Sequence, residues 1–356
     1  MKGILPQPIA VVGAAAFCQL GLDWPSFRER CIGLLAGRKD TTLQDFPLVV
    51  PKAQSKPEKR QRRLMSRSAL LATVALNELL KALPWDEQRE ELGCYMGVGA
   101  SGGSEEQLFQ LLEASRENVG APFSFQHFGE EGLRSCNPLY AFQILHNFTL
   151  CHPSILHGLG GANSAFFSRG AGTTHALSEG AYAVLEGDCQ RALVGGADAG
   201  RTPMAHAELE REGYLSKGLQ AAEGAGWIAL ERDAQGHALG WLERCTTYST
   251  ARNGFERVTQ DILQELQQEP PEQLVLYPWN QALQALWAKE AKQHLPNVKI
   301  LELESLLGDP LAAGPALGWL AALATLGEGH SKRTTVLHTG IDTEISVVTF
   351  SHQKER

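Results

Sequence analysis

A serine framed by glycines, Gly99-Ala-Ser101-Gly-Gly103, follows the apolar run Cys94-Tyr-Met-Gly-Val98. That placement has the form of a nucleophile elbow, a sharp strand-to-helix turn that exposes a hydroxyl for hydrolysis or acyl transfer. Such an enzyme also needs an imidazole and a carboxylate, and His175 and Asp198 are the nominal candidates. A glycine-rich turn that merely closes a buried strand accounts for the same residues without chemistry. Cys151-His152 sets a thiol beside an imidazole, but neighbours on an extended segment face opposite ways. Cys136 and Cys151 therefore read as small core residues. His146, His152 and His157 lack the spacing of a metal-ligand set, so no metal is expected. Gly158-Leu-Gly-Gly161 does not join a strand to a helix with an acidic residue downstream, so a dinucleotide site is not expected and no cofactor is implied.

The elements that must carry any site are those of a soluble α/β protein. The chain has 356 residues, enough to bury a large core, with 43% hydrophobic and 20% charged residues. A net charge of −8 argues against nucleic acid or an anionic membrane as the main partner. Seven scattered cysteines without a Cys-x-x-Cys pair suit a reduced, cytoplasmic chain. No apolar run approaches the roughly 18 residues of a membrane span. The apolar start, Ile9 to Phe17, is short and preceded by Pro6 and Pro8, so it reads as a buried first strand rather than a signal peptide.

Periodicity places further elements. Helical patterns start near Trp24-Pro25 and at Ser66, the latter carrying Leu70, Leu71, Val74, Ala75 and Leu79 on one stripe. Strands are expected at Cys94–Gly99, Gly226–Glu231, Gly240–Tyr248 and Gln273–Tyr277. Helices are expected at 257–266 and 281–293, and a turn at 233–237. This alternation predicts α/β layering with mainly parallel strands.

From Asn147 to Asp198 the chain reads as an Asn-to-Pro153 run, the turn Gly158-Leu-Gly-Gly161, a short strand, Gly170, a periodic helix stopped by Gly187, and Arg191-Ala-Leu-Val-Gly-Gly-Ala-Asp198. This stretch closely resembles the β-ketoacyl synthase family, and the resemblance extends from Ile9 to about Phe350. It implies a thiolase-like layered α-β-α-β-α fold of two similar βαβ halves, residues 1–222 and 223–356, forming one compact unit. It also puts Gly170 where the family carries its nucleophilic cysteine. The family's first histidine falls at Pro278-Trp-Asn280, and its second at Asp309 in Leu307-Gly-Asp-Pro-Leu-Ala-Ala-Gly314. The family's closing glycine-rich loop falls at His338-Thr-Gly-Ile-Asp342. A segment that helps roof the family's active site is missing after Gly200, while Glu223-Gly-Ala-Gly226 is kept.

A retained frame that has lost thiol, bases and oxyanion loop resembles the chain-length factors, the non-catalytic β-subunits of type II ketosynthases. These serve polyketide, aryl polyene and some fatty-acid systems. The resemblance implies a heterodimer with an active ketosynthase, and an acyl carrier protein reached through that partner. The basic run Lys56-Pro-Glu-Lys-Arg-Gln-Arg-Arg63 reads as a solvated helix start, with a carrier's acidic surface as the competing use. The dimer strand would be Asn163, Ser164, Ala165, Phe166, Phe167 and Ser168, and the acyl-cavity wall Phe109, Leu112, Phe123, Phe125 and Phe128. Two other readings stand beside this one: a hydrolase or acyltransferase using Ser101, and a homodimeric acyl-binding scaffold.

Overall fold

The first strand expected from Ile9 to Phe17 runs to fifteen residues, Ile4–Cys18 (β1), because it reaches back through Pro6 and Pro8 to pair Ile4 with Arg244 across an irregularity in register. A computed structural model describes residues 3–38, 43, 46–53, 55–100, 103–232, 234, 238–327, 329–342 and 344–353. The other strands are β2 (Gly93–Val98), β3 (Asn163–Phe167), β4 (Arg191–Ala199), β5 (Glu223–Glu231), β6 (Gly240–Ser249), β7 (Gln273–Pro278), β8 (Lys299–Glu302), β9 (Arg333–Thr339) and β10 (Glu344–Ser351). They form one sheet in the order β3-β2-β4-β5-β1-β6-β10-β9-β7-β8.

Read from its two edges inward, that order is the same in both halves. In each, the second strand is parallel to the third and fourth, and the fourth is antiparallel to the fifth, which is antiparallel to the first. The halves meet where β1 pairs with β6, Ala10 opposite Trp241. A division at residues 222/223 would assign β5 to the second half, whereas β5 pairs with β4 and β1. The repeats therefore join in the link between β5 and β6. The turn expected there, 233–237, lies largely outside the described residues. The expectation of mainly parallel strands also needs correction, since four pairings are parallel and five antiparallel. The link from β9 to β10 spans only residues 340–343, too short for a parallel crossover.

Helices fill the layers around and between the halves. The Ala171–Glu186 and Gly314–Ala324 helices each touch strands of both halves, so they form the central layer. Gly314–Ala324 is buried at every position and carries no charged residue, as a helix surrounded on all sides must be. Arg67–Ala82 and Phe148–His157 cover the outer face of the first half. Phe255–Leu266 and Gln281–His294 cover the second, with Val258, Ile262, Leu274, Trp287 and Leu337 in one core. Several helix starts are fixed by side-chain caps: Asp23 accepts from Ser26 N–H at 2.8 Å, and Ser66 from Ala69 N–H at 3.2 Å.

One segment departs from the sequence expectation. Cys151-His152 lies within the Phe148–His157 helix, not on an extended stretch. Pro153 inside the run hides its helical character, and Gly158 ends it at φ 67°, the left-handed conformation that favours glycine. His152 is buried, but Cys151 and Cys136 are only half-buried, so neither cysteine is a core residue.

Candidate functional site

β3 ends one residue before Ser168, and the Ala171–Glu186 helix begins three residues after it, so Gly170 stands at the turn between strand and helix. The first amides of a helix have no partner within the helix and attract an acceptor or an anion. Here they are already occupied. Ala171 N–H donates to Asp342 Oδ2 at 2.7 Å, and Gly172 and Gly170 N–H donate to Ser168 Oγ at 2.9 and 3.2 Å. Ser168 Oγ–H in turn donates to Asp342 Oδ2 at 2.9 Å. The loop after β9 also presses its backbone onto this turn. A Cβ built on Gly170 would lie 2.9 Å from Asp342 Oδ2, 2.9 Å from Gly340 Cα and 3.0 Å from Gly340 N. A Cβ on Gly340 would collide with Arg169 O. The slot therefore lacks both a side chain and the room for one.

The two positions assigned to histidines serve the backbone instead. Pro278 closes β7, and Asn280 caps the Gln281–His294 helix by accepting from Leu283 N–H at 2.9 Å. Trp279 packs edge-on against Tyr214, with ring centroids 5.8 Å apart. Asp309 is buried and accepts from Leu311 N–H at 2.8 Å, while its Oδ2 finds no partner among the described residues. Burial holds its carboxyl well above the usual range; the Leu311 N–H opposes this, and the carboxylates of Asp198, Asp342 and Glu304 push further upward. Asp198 and Glu304 are likewise pushed up by burial, each to about 7. His338 is buried and held neutral, its imidazole lowered to about 3 by burial. This is a cluster of carboxyl groups whose charged forms are disfavoured by burial, with Arg169 acting on Asp198 only as a lesser, opposing influence, and it is poorly suited to receiving a substrate carboxylate.

The sequence pattern of the β-ketoacyl synthase N-terminal domain matches residues 28–236, more than half of the chain. The chain belongs to the β-ketoacyl synthase family. A search of curated protein sequences finds no match. Among solved structures, the chain is similar to the type II polyketide ketosynthase AntDE, solved with its acyl-carrier protein AntF, at 17% identity and a TM-score of 0.75; the match covers 98% of this chain and 100% of that one. It is also similar to the ishigamide ketosynthase/chain length factor at 21% identity and a TM-score of 0.71, over 97% and 99% of the two chains. A β-ketoacyl synthase from Burkholderia phymatum STM815 matches at 14% identity and a TM-score of 0.73, over 98% and 100%. At these identities the structural likenesses establish the fold, a thiolase-like α/β architecture built on a large mixed sheet.

The segments expected to meet a partner expose much of their apolar surface in this ketosynthase fold. β3 is an edge strand, paired on one side to β2. Phe166 is half-buried against the central core, and Phe167 is 58% exposed with its ring 4.3 Å from that of His146. Ten of the fourteen exposed large apolar side chains among the described residues fall between Phe109 and Phe167, which marks this stretch as uncovered surface. The five residues expected in an acyl-cavity wall belong to it. Phe109, Phe123 and Phe125 are exposed, Leu112 and Phe128 half-buried, and Phe123 packs on Phe125 and Phe128 with centroids 5.1 and 5.8 Å apart. None lines the cleft of about 560 Å³ beside the slot, whose wall includes Ala100, His146, Phe167, Arg169, Met204 and Arg211. Within a single chain, then, these five form surface and not a cavity. Charge also enters that cleft, where Arg169 pairs with Glu208 at 2.6 Å and Glu212 at 2.8 Å.

The competing chemistry gains no support from the geometry. Ser101 lies outside the described residues. His175 is exposed and pairs with Glu344 at 2.9 Å, whereas buried Asp198 accepts from the amides of Ala199 and Ala312. The two are not joined in a relay. No group of three or more candidate metal ligands occurs among the described residues, and no helix there is long and apolar enough to cross a membrane. Sequence reasoning missed Asp342 and Ser168 as occupants of the slot. Ser168, two residues before Gly170, carried a capping signal, but Asp342 is 171 residues from the amide it binds.

Proposed function

We propose that this chain is a non-catalytic, chain-length-factor-like subunit that pairs with an active β-ketoacyl-carrier-protein synthase in the cytoplasm. Its pathway would be type II polyketide, aryl polyene or fatty-acid biosynthesis. The observation that carries this reading is Gly170 in the nucleophile slot with Asp342 and Gly340 packed against it. Covalent acyl transfer needs a nucleophile there and bases beside it, and Asn280 and Asp309 are turned to backbone capping. The open β3 edge and the exposed apolar stretch from Phe109 to Phe167 supply the surface for a partner. An unpaired apolar edge is a hazard unless covered, and an obligate interface of roughly 2,000 Å² or more is expected there. The acyl carrier protein then delivers its load to the partner's cysteine, and the aromatic residues of this chain shape the cavity only once the partner is in place. Two similar halves joined between β5 and β6 act as one unit in that pairing.

Co-expression with a ketosynthase that keeps its Cys-His-His set tests the reading. Expected are a complex that survives gel filtration, condensation by the complex alone, and no acyl adduct on this chain by intact mass after incubation with acyl carrier protein thioesters. An acyl adduct on the isolated chain refutes the reading. A stable homodimer indifferent to any ketosynthase would support a scaffold in its place.

A further inference from the structure

We propose that Asp342 is a built-in plug: its carboxyl group, delivered by the loop between β9 and β10, closes the acyl slot of this subunit. The inference rests on the non-catalytic reading above and names what keeps that site shut. Loss of a thiol by substitution to glycine would by itself leave a small void and a set of helix amides open to a ligand. Neither is present here. The Ala171 amide that would hold an anion is satisfied by Asp342 Oδ2 at 2.7 Å, and Ser168 ties the same oxygen to the turn at 2.9 Å. The space a side chain would enter is taken by that carboxylate and by the Gly340 backbone, both within 3.0 Å of the Cβ position.

The plug also carries a cost that packing alone does not explain. Asp342 Oδ1 has no partner at hydrogen-bond distance among the described residues, and burial raises the carboxyl above its ordinary range, with the charge of Glu344 adding to this and the Ala171 amide, the Ser168 hydroxyl and the Glu344 amide opposing it. A glycine or serine in this loop would avoid the buried, half-satisfied carboxyl. The helix-start amides offset part of that penalty through charge-assisted hydrogen bonds. The consequence is that an acyl chain or carrier arm entering the shared assembly meets a closed door on this side and an open one on the partner's.

Thiol accessibility tests the plug without relying on condensation. Cys18, Cys31, Cys94, Cys189 and Cys245 are buried, so only the half-buried Cys136 and Cys151 need replacing. In a C136S/C151S background, G170C and G170C/D342A are compared for the rate of alkylation by iodoacetamide at pH 7, with folding checked by circular dichroism. Removal of the carboxyl should speed alkylation at least tenfold, since the introduced thiol gains room and the amides that favour a thiolate. An acceleration below tenfold overturns the proposal. Should the D342A protein unfold, D342S keeps a short acceptor for the Ala171 amide and is read by the same threshold. Failure of the plug leaves the non-catalytic reading standing on the missing thiol, whereas an acyl adduct on the wild-type chain removes that reading while the alkylation rates still report on Asp342.

Discussion

Replacing Asp198 with asparagine should change how stability depends on pH, because this carboxyl is buried near the end of β4 and its burial outweighs the groups that favour its charge. Its Oδ1 accepts from Ala199 N–H at 2.8 Å and its Oδ2 from Ala312 N–H at 3.3 Å. Burial raises it to about 7, while those two amides, the charge of Arg169 and the Ser68 hydroxyl pull the other way. The unfolded chain returns it to about 3.9. An acid whose pKa is raised by folding contributes stability that is fully present below the unfolded value and is lost as pH climbs through the folded one. With these two values, linkage gives a loss of about 2–3 kcal/mol between pH 5 and pH 8, out of about 4 kcal/mol over the whole titration. D198N keeps the bond from Ala199 and cannot ionise. It should carry a roughly constant penalty of about 0.5–1.5 kcal/mol from the weakened Ala312 contact. His338 and His157, lowered to about 3 and about 4 by burial, act in the opposite sense, losing stability as pH falls below about 6.5. Both proteins carry them, so they cancel in the comparison. The assay is denaturant unfolding of wild type and D198N at pH 5 and pH 8. Wild type should lose about 2–3 kcal/mol relative to the variant on going from pH 5 to pH 8. A difference that is flat with pH, or that grows in favour of wild type, would refute the argument.

Other outcomes are expected from the same geometry. Asn280→Ala removes a side-chain cap and should cost about 1 kcal/mol, seen as a lower denaturation midpoint without loss of fold. Phe167→Asp puts a charge on the exposed face of the β3 edge and should weaken a complex with a ketosynthase by at least tenfold in dissociation constant, while leaving the monomer's melting temperature within a few degrees. Unchanged binding in a pull-down titration would move the interface elsewhere. Alanine at Phe109, Leu112, Phe123, Phe125 and Phe128, one at a time in an active complex, should lengthen the product for one or two of the five. Packed atoms at a cavity end resist an incoming chain by about 1–3 kcal/mol, so identical product profiles for all five variants would remove that role.

What the amino-acid order determined by itself was local. The stripe of Leu71, Val74, Ala75 and Leu79 places a helix on the core, and the caps at Asp23, Ser66 and Asn280 fix where helices begin, because these patterns act within one or two turns. The run from Asn147 to Asp198, with glycine at 170, points to the family because the whole motif is contiguous. Where a local signal was masked, as by Pro153 in the Phe148–His157 helix, the reading went astray. The rest was decided by contacts between distant parts of the chain. Which half owns β5 depends on its pairing with β4 and β1, and an isolated strand carries no label for its neighbours. Exposure of the aromatic residues from Phe109 to Phe128 follows from what does and does not pack over them, which apolar character alone leaves open. Asp342 reaches the start of the Ala171–Glu186 helix only because β9, in the other half, ends beside it, so the occupant of the slot was settled by the fold and not by any motif.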